Sequence, residues 1–302
     1  MVKKRIQTAG RAGVLVACFA LAALFSRTAL HTYIENKIID SFFHLRDSLS
    51  ASSAGSSPIT IVGIDRKTLG AYRAPVIFWD SEFAETIRTI SSGRPRAIGF
   101  DILHLARADT DRYKAKKDRL KESILKTKNL VLPYSAETGD IPIYIARHLE
   151  ERLGLGEDVS PRDRIRMLPV AEKTTGIGFG FVELIEDDDG IIRHAILANE
   201  GDGVKVSFPL KIFMLYHGLT ESKVTLEEEK LIAGKYGIPL DQGALIINYT
   251  GPPETFRAVS MIDVNRKKTD RAFLDRYFKD RVVLIGVWDR MLMDVHNTPY
   301  VS

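Results

Sequence analysis

Three aspartates stand at the ends of runs of small or branched apolar residues. Asp65 closes ITIVGID, Asp101 interrupts RAIGFDILH, and Asp289 ends RVVLIGVWD. Uninterrupted apolar runs of this length beside helical patterns mark parallel strands covered on both faces. If the three strands lie side by side, their carboxyl ends carry the three acids to one edge of a sheet, where open α/β sheets hold ligands. Beyond the last strand, WDRMLMDVHNTPY adds Asp294, His296 and Thr298 within one loop. Carboxylates and an imidazole so gathered could bind a ligand, move a proton or ligate a metal. Strand-end carboxylates also serve as loop caps and arginine partners. No GxSxG, HExxH or paired-histidine pattern points to a particular reaction, and neither a catalytic residue nor a metal ligand is assigned.

The remaining segments read as what covers and joins those strands. Trp79 to Ile90, WDSEFAETIRTI, is a helix with Phe83, Ile87 and Ile90 on one face and Gly93 at its end. It gives a strand, helix, strand unit with a right-handed crossover. Arg107 to Lys128 carries nine basic and four acidic residues. With only Tyr113 as an aromatic among them, it is a solvated helix face rather than a nucleic-acid site. NLVLPY is a fourth strand, and IPIYIARHLEERLG and PRDRIRML are amphipathic and helical. Gly176 to Leu197, GIGFGFVELIEDDDGIIRHAIL, alternates on both sides of Asp189-Gly190 and is predicted as an antiparallel hairpin. Its GIGFG has the wrong spacing for a dinucleotide fingerprint. Its EDDDG lacks the ligands of a calcium loop and reads as a solvated turn. Ser207 to Gly218 is a capped helix in which His217 is a C-terminal helix residue. ALIINY is a further strand, and a short helix precedes RVVLIGV. The expected fold is α/β: a mainly parallel central sheet flanked by helices, with an antiparallel hairpin insertion, preceded by one N-terminal transmembrane helix.

That membrane helix rests on the N-terminus. Lys3, Lys4, Arg5 and Arg11 precede an uncharged stretch from Ala12 to Ser26, AGVLVACFALAALFS. Fifteen residues are short of the roughly 20 that cross a bilayer. A span over 12–34 therefore needs Arg27 to snorkel at the far interface and Tyr33 to anchor there. A signal peptide cleaved near Ala20-Leu21-Ala22 is the rival, and a buried core helix the third choice. The positive charge keeps residues 1–11 in the cytoplasm and exports the remainder. From Leu30, apolar residues recur at Ile34, Ile38, Phe42, Leu45 and Leu49, one stripe of a helix. The stripe either packs on the globular domain, the favoured reading, or pairs with a second copy in a homodimer. SLSASSAGSSP is a flexible linker that ends the 35–57 segment, and the globular domain occupies 58–302.

Composition adds limits. The chain has 302 residues, 45% hydrophobic and 27% charged, with 43 basic against 39 acidic residues spread along it. Neither nucleic acid nor an acidic partner is required. The single cysteine, Cys18, excludes an intrachain disulfide and a cysteine zinc site.

In order along the chain, IVGIDRKTL, RAIGFDIL, NLVLP, MLPVAEKTTGIGFGFVEL, DDDGIIRHAIL, IPLDQGALIINYTGPPETF, VSMIDV and RVVLIGVWDRMLMDVHNTPY resemble the CHASE domain of the second type. The aromatic-rich helix ENKIIDSFFHLRD shares the resemblance. It implies an extracytoplasmic sensory domain of a bacterial receptor, set in the inner membrane by an N-terminal helix and binding an unknown small molecule or other signal. It also implies an output module, a cyclase or kinase, beyond this chain, which stops before the family's final sensor segment. Where the family has a tryptophan-rich turn followed by arginine, this sequence has RAPVIFWDSE, with Asp80 after Trp79. The family's Glu-Pro pair after RAIGFDILH is replaced by LARAD. The residues carried forward as ligand-binding candidates are Asp65, Trp79, Asp101, Asp289, Asp294 and His296. The expectation is a sensor rather than an enzyme, with no cofactor. The alternative is an exported hydrolase using Asp65, Asp101 and Asp294 or His296 as metal ligands or acid/base groups.

Overall fold

The computed structural model describes residues 24, 28–49, 57–103, 111–141, 160–201, 203–292 and 294–300. Its centre is a six-stranded, wholly parallel sheet. The strands in chain order are β1 (Ile59–Ile64), β2 (Ala97–Phe100), β3 (Leu130–Tyr134), β4 (Gly178–Phe181), β12 (Arg257–Ser260) and β13 (Val282–Val287). Across the sheet they run β12, β1, β13, β2, β3, β4. The three strands read most directly from their apolar runs are thus neighbours, with β13 between β1 and β2. Val62 lies opposite Ile285, which lies opposite Phe100.

Four of the five steps from one of these strands to the next move in the same direction across the sheet, and the step from β4 to β12 returns the other way. Crossovers of one handedness then place the helices of the four like steps on one face. That face carries α3 (Asp80–Ser92), α4 (Asp111–Lys126), α5 (Pro161–Thr175), α7 (Met261–Arg266) and α8 (Arg271–Tyr277). Phe83, Ile87, Leu120, Ile124, Leu168 and Phe273 pack there on Val62, Ile98, Leu132 and Ile285. The period-two alternation turns Ala97, Val131 and Val282 to the opposite face, under Phe208 and Ile212 of α6 (Phe208–His217). A short helix, α2 (Arg66–Ala71), follows β1.

The Gly176 to Leu197 segment is not one hairpin. Its first half, GFGF, is β4, which joins β3 in parallel. A methyl group on Gly180 would stand 2.4 Å from the Phe208 Cα, so the glycine admits the start of α6 against the strand. Only the second half reverses. Ile185 bridges His194 antiparallel, and the turn between them ends on Gly190 at φ +72. The antiparallel structure lies elsewhere: β5 (His194–Ala195) with β11 (Leu245–Ile246), β6 (Ala198–Gly201) with β7 (Gly203–Val206), and a three-stranded unit. That unit comprises β8 (Val224–Leu226), β9 (Lys230–Ala233) and β10 (Tyr236–Pro239), packed beside α6 around Leu210, Met214 and Leu231.

The N-terminal helix α1 (Ala29–Leu49) overturns the favoured packing of its stripe. Leu30, Ile34, Ile38, Phe42, Leu45 and Leu49 are 40–77% exposed, whereas Asn36, Asp40 and Phe43, on the opposite side, are buried. The helix docks through its polar face because a buried arginine waits there, as described below. Among the described residues no helix is long and apolar enough to cross a membrane. Most of the expected span, and the helix predicted from IPIYIARHLEERLG, lie outside the described residues.

Candidate functional site

The parallel order brings Asp65, Asp289 and Asp101 in sequence along the carboxyl edge, at the ends of β1, β13 and β2. Their surroundings give them different chemistry. Asp65 is the N-cap of α2. Its Oδ1 accepts from the Thr68 N–H at 2.8 Å, the Thr68 hydroxyl at 2.7 Å and the Ser260 hydroxyl at 2.8 Å. Burial would raise its pKa, but these three hydrogen bonds outweigh burial and hold the carboxyl below its ordinary value. Asp289 accepts from the Met291 N–H at 2.9 Å and lies 3.6 Å from the Arg66 Nε.

Among the described residues, Asp101 has no such partners. It stands open to solvent at the sheet edge, yet protein surrounds it on most sides. That crowding, and then the charge of Asp294, push its carboxyl up to about 6. His296 Nε2 lies 3.3 Å from the Asp294 Oδ1, and both side chains are exposed. Asp101, Asp294 and His296 therefore form a part of the edge whose polar groups are open to solvent. Trp79 is placed apart from it, 1% exposed in the core. Its Nε1 donates to the Ala74 carbonyl at 2.7 Å, and its ring packs edge-on to Tyr72. It fixes the turn before α3 and presents nothing to solvent in this conformation.

Beside Asp65 a cavity of about 370 Å³ opens, lined by Gly63, Glu254, Phe256, Ser260 and Trp288. Trp288 crosses β1 at Gly63, where a Cβ would meet the tryptophan Cβ at 2.9 Å. Among the described residues, the candidate acids do not come together as a metal set. Asp65 is occupied by its cap and is separated from Asp101 by β13, and among the described residues no three His, Cys, Asp or Glu side chains could hold an ion.

A second polar centre was not anticipated. Arg193, 1% exposed, uses all five of its N–H donors. Nε and one terminal nitrogen grip Asp40 of α1 at 2.9 and 2.8 Å; the others reach Asp187 at 2.7 Å and Asp189 at 2.8 and 2.9 Å. These hydrogen bonds, those to Asp40 and Asp189 foremost, hold the guanidinium firmly protonated against its burial. Asp187 also meets His194 Nδ1 at 2.9 Å. The EDDDG run is therefore no solvated turn: two of its acids bind the arginine that fastens α1. A lone charge in the apolar setting GIIRHAIL was the signal available in the sequence.

The two centres share one segment. Residues 288–300 leave the end of β13 beside Asp101, carry Asp294 and His296, and finish against α1. There the Ile192 N–H donates to the Asn297 carbonyl at 3.0 Å, and the Pro299 carbonyl lies 3.1 Å from the His44 Nε2. The Tyr300 hydroxyl accepts from Arg46 at 3.1 Å, beside Phe43.

No curated protein and no solved structure matches this chain. A family model, described as the CHASE2 domain, matches residues 14–301. With nearly the whole chain matched, the protein belongs to the CHASE2 family of sensory, non-catalytic extracellular domains of signal-transduction receptors.

Proposed function

We propose that this chain is the membrane-anchored, extracytoplasmic input module of a bacterial receptor. It receives a small-molecule signal at the carboxyl edge around Asp101, Asp294 and His296. The observation that carries the reading is the single segment 288–300, which lines that edge at one end and grips α1 at the other. A ligand that prefers one arrangement of this segment biases α1 with it, since a signal shifts an equilibrium only through differential contacts in two states. α1 in turn continues the sequence read as the anchor, residues 12–34, so the change reaches the membrane and, in a complete receptor, the cyclase or kinase module that the resemblance implies beyond this chain.

Topology is the first part to examine. Alkaline phosphatase, active only outside the cytoplasm, is fused after Ser302, and the fusion is checked for full length in the membrane fraction. Activity from an intact, membrane-bound fusion supports an anchored external sensor. An abundant but inactive fusion overturns the export of residues 35–302, and activity from a shortened, released product replaces the anchor by a cleaved signal.

A further inference from the structure

We propose that the outward face of α1 is the contact surface for a second copy of this chain, aligned in parallel. The observation is an inverted helix. α1 spends its polar side on the body of the domain, through Asn36, Asp40, Phe43 and Arg46. It leaves Leu30, Ile34, Ile38, Phe42, Leu45 and Leu49 exposed along its whole length. Beyond the proposed span of 12–34, Ile38, Phe42, Leu45 and Leu49 are 49–77% exposed and present on the order of 500 Å² of apolar surface, the size of the largest patch of an ordinary monomer, which is often a functional contact.

Three features select a second copy as the occupant. The stripe steps by four, four, four, three and four residues, so it faces one side over the full 21-residue helix, as a helix-to-helix seam requires. The helix has two basic residues, Lys37 and Arg46, against three acidic ones, Glu35, Asp40 and Asp47. With Asp40 engaged by Arg193, Lys37 and Arg46 stand against Glu35 and Asp47, so the helix lacks the basic excess that draws an amphipathic helix onto an anionic bilayer surface. Finally, if residues 12–34 anchor the chain, as the proposed function holds, two neighbouring copies enter the periplasm with their α1 helices already side by side and pointing the same way. Because Arg193 clamps α1 from behind, the pair would join two sensor bodies rather than two loose tails.

The test uses the full chain in membranes with Cys18→Ser. Single cysteines replace Ile38, Leu45 or Leu49 on the stripe, or Lys37 or Ser48 off it, all beyond the proposed span, and are oxidised mildly. A disulfide needs Cβ atoms about 3.5–4.5 Å apart, so a parallel pair should cross-link the stripe positions about tenfold more than the off-stripe ones. Adding Phe42→Glu and Leu45→Glu should abolish the cross-link at position 38 while the domain stays folded, since neither side chain is buried in the body. Equal cross-linking at every position, or none in a folded, membrane-bound protein, overturns the pairing. Stripe cysteines shielded from a water-soluble maleimide without cross-linking assign the face to the bilayer and also overturn it. If the phosphatase fusion is inactive but stripe-specific cross-links persist in detergent, the anchor reading has failed and the pair stands.

Discussion

Asp65 and Asp101 end strands separated only by β13, yet their protons behave oppositely. Three hydrogen bonds to its ionised form hold the Asp65 carboxyl low; crowding and the Asp294 charge hold the Asp101 carboxyl high, at about 6. For Asp101 the native pKa lies above the ordinary 3.8, so its contribution to stability is complete below about pH 4 and disappears as pH rises through 6. Asp101→Asn keeps the neutral shape. It should leave the thermal midpoint nearly unchanged at pH 4 and raise it at pH 7.5 by no more than about 1 kcal/mol equivalent, because the carboxyl is open to solvent. Melting curves across pH 4–8 read this directly; a difference that does not vary with pH would mean that Asp101 titrates normally. Asp65 has the reverse sense, its stabilisation present above about pH 4 and lost on acidification.

At the level of elements, the long apolar strands were legible because a buried parallel strand writes its burial as an uninterrupted run, as in VVLIGV. β12, the four residues RAVS, was not, being short and at the sheet edge. Nor was β4 as a parallel strand, because GFGF alternates like a hairpin arm while its glycines admit α6. For α1, periodicity located the helix and its stripe, but a stripe has the same period whether it faces in or out. The direction was set by Arg193, whose three aspartate partners come from positions far apart in sequence or from a turn that composition made look solvated. The candidate edge was legible as strand ends, but not which of its acids would be capped. Arg193→Met should destabilise the fold by about 3–5 kcal/mol, since it removes the buried guanidinium shared by Asp40, Asp187 and Asp189 and leaves them only the partly exposed Lys37 and His194. Urea unfolding measures the loss, and amide exchange should show α1 opening before the sheet. Adding Asp40→Asn should recover part of the loss; no recovery would mean that Asp40 contributes nothing to the attachment.

For the whole molecule, the order of the sheet is not the order of the chain. β1 and β2 do not touch through hydrogen bonds; the strand that joins them, β13, begins at Val282, after every other strand of the sheet. A chain cut after Asp280 keeps five strands, but β12 and β1 are severed from β2, β3 and β4. Such a truncation should show no cooperative unfolding transition by circular dichroism, whereas removal of residues 1–28 should preserve one. During synthesis the same arrangement acts as a timer. The ribosome must deliver the sequence through Val287 before the middle of the sheet can close, so until then β1 and the block of β2, β3 and β4 wait as separate pieces. The emergence of β13 then joins the two pieces in one step.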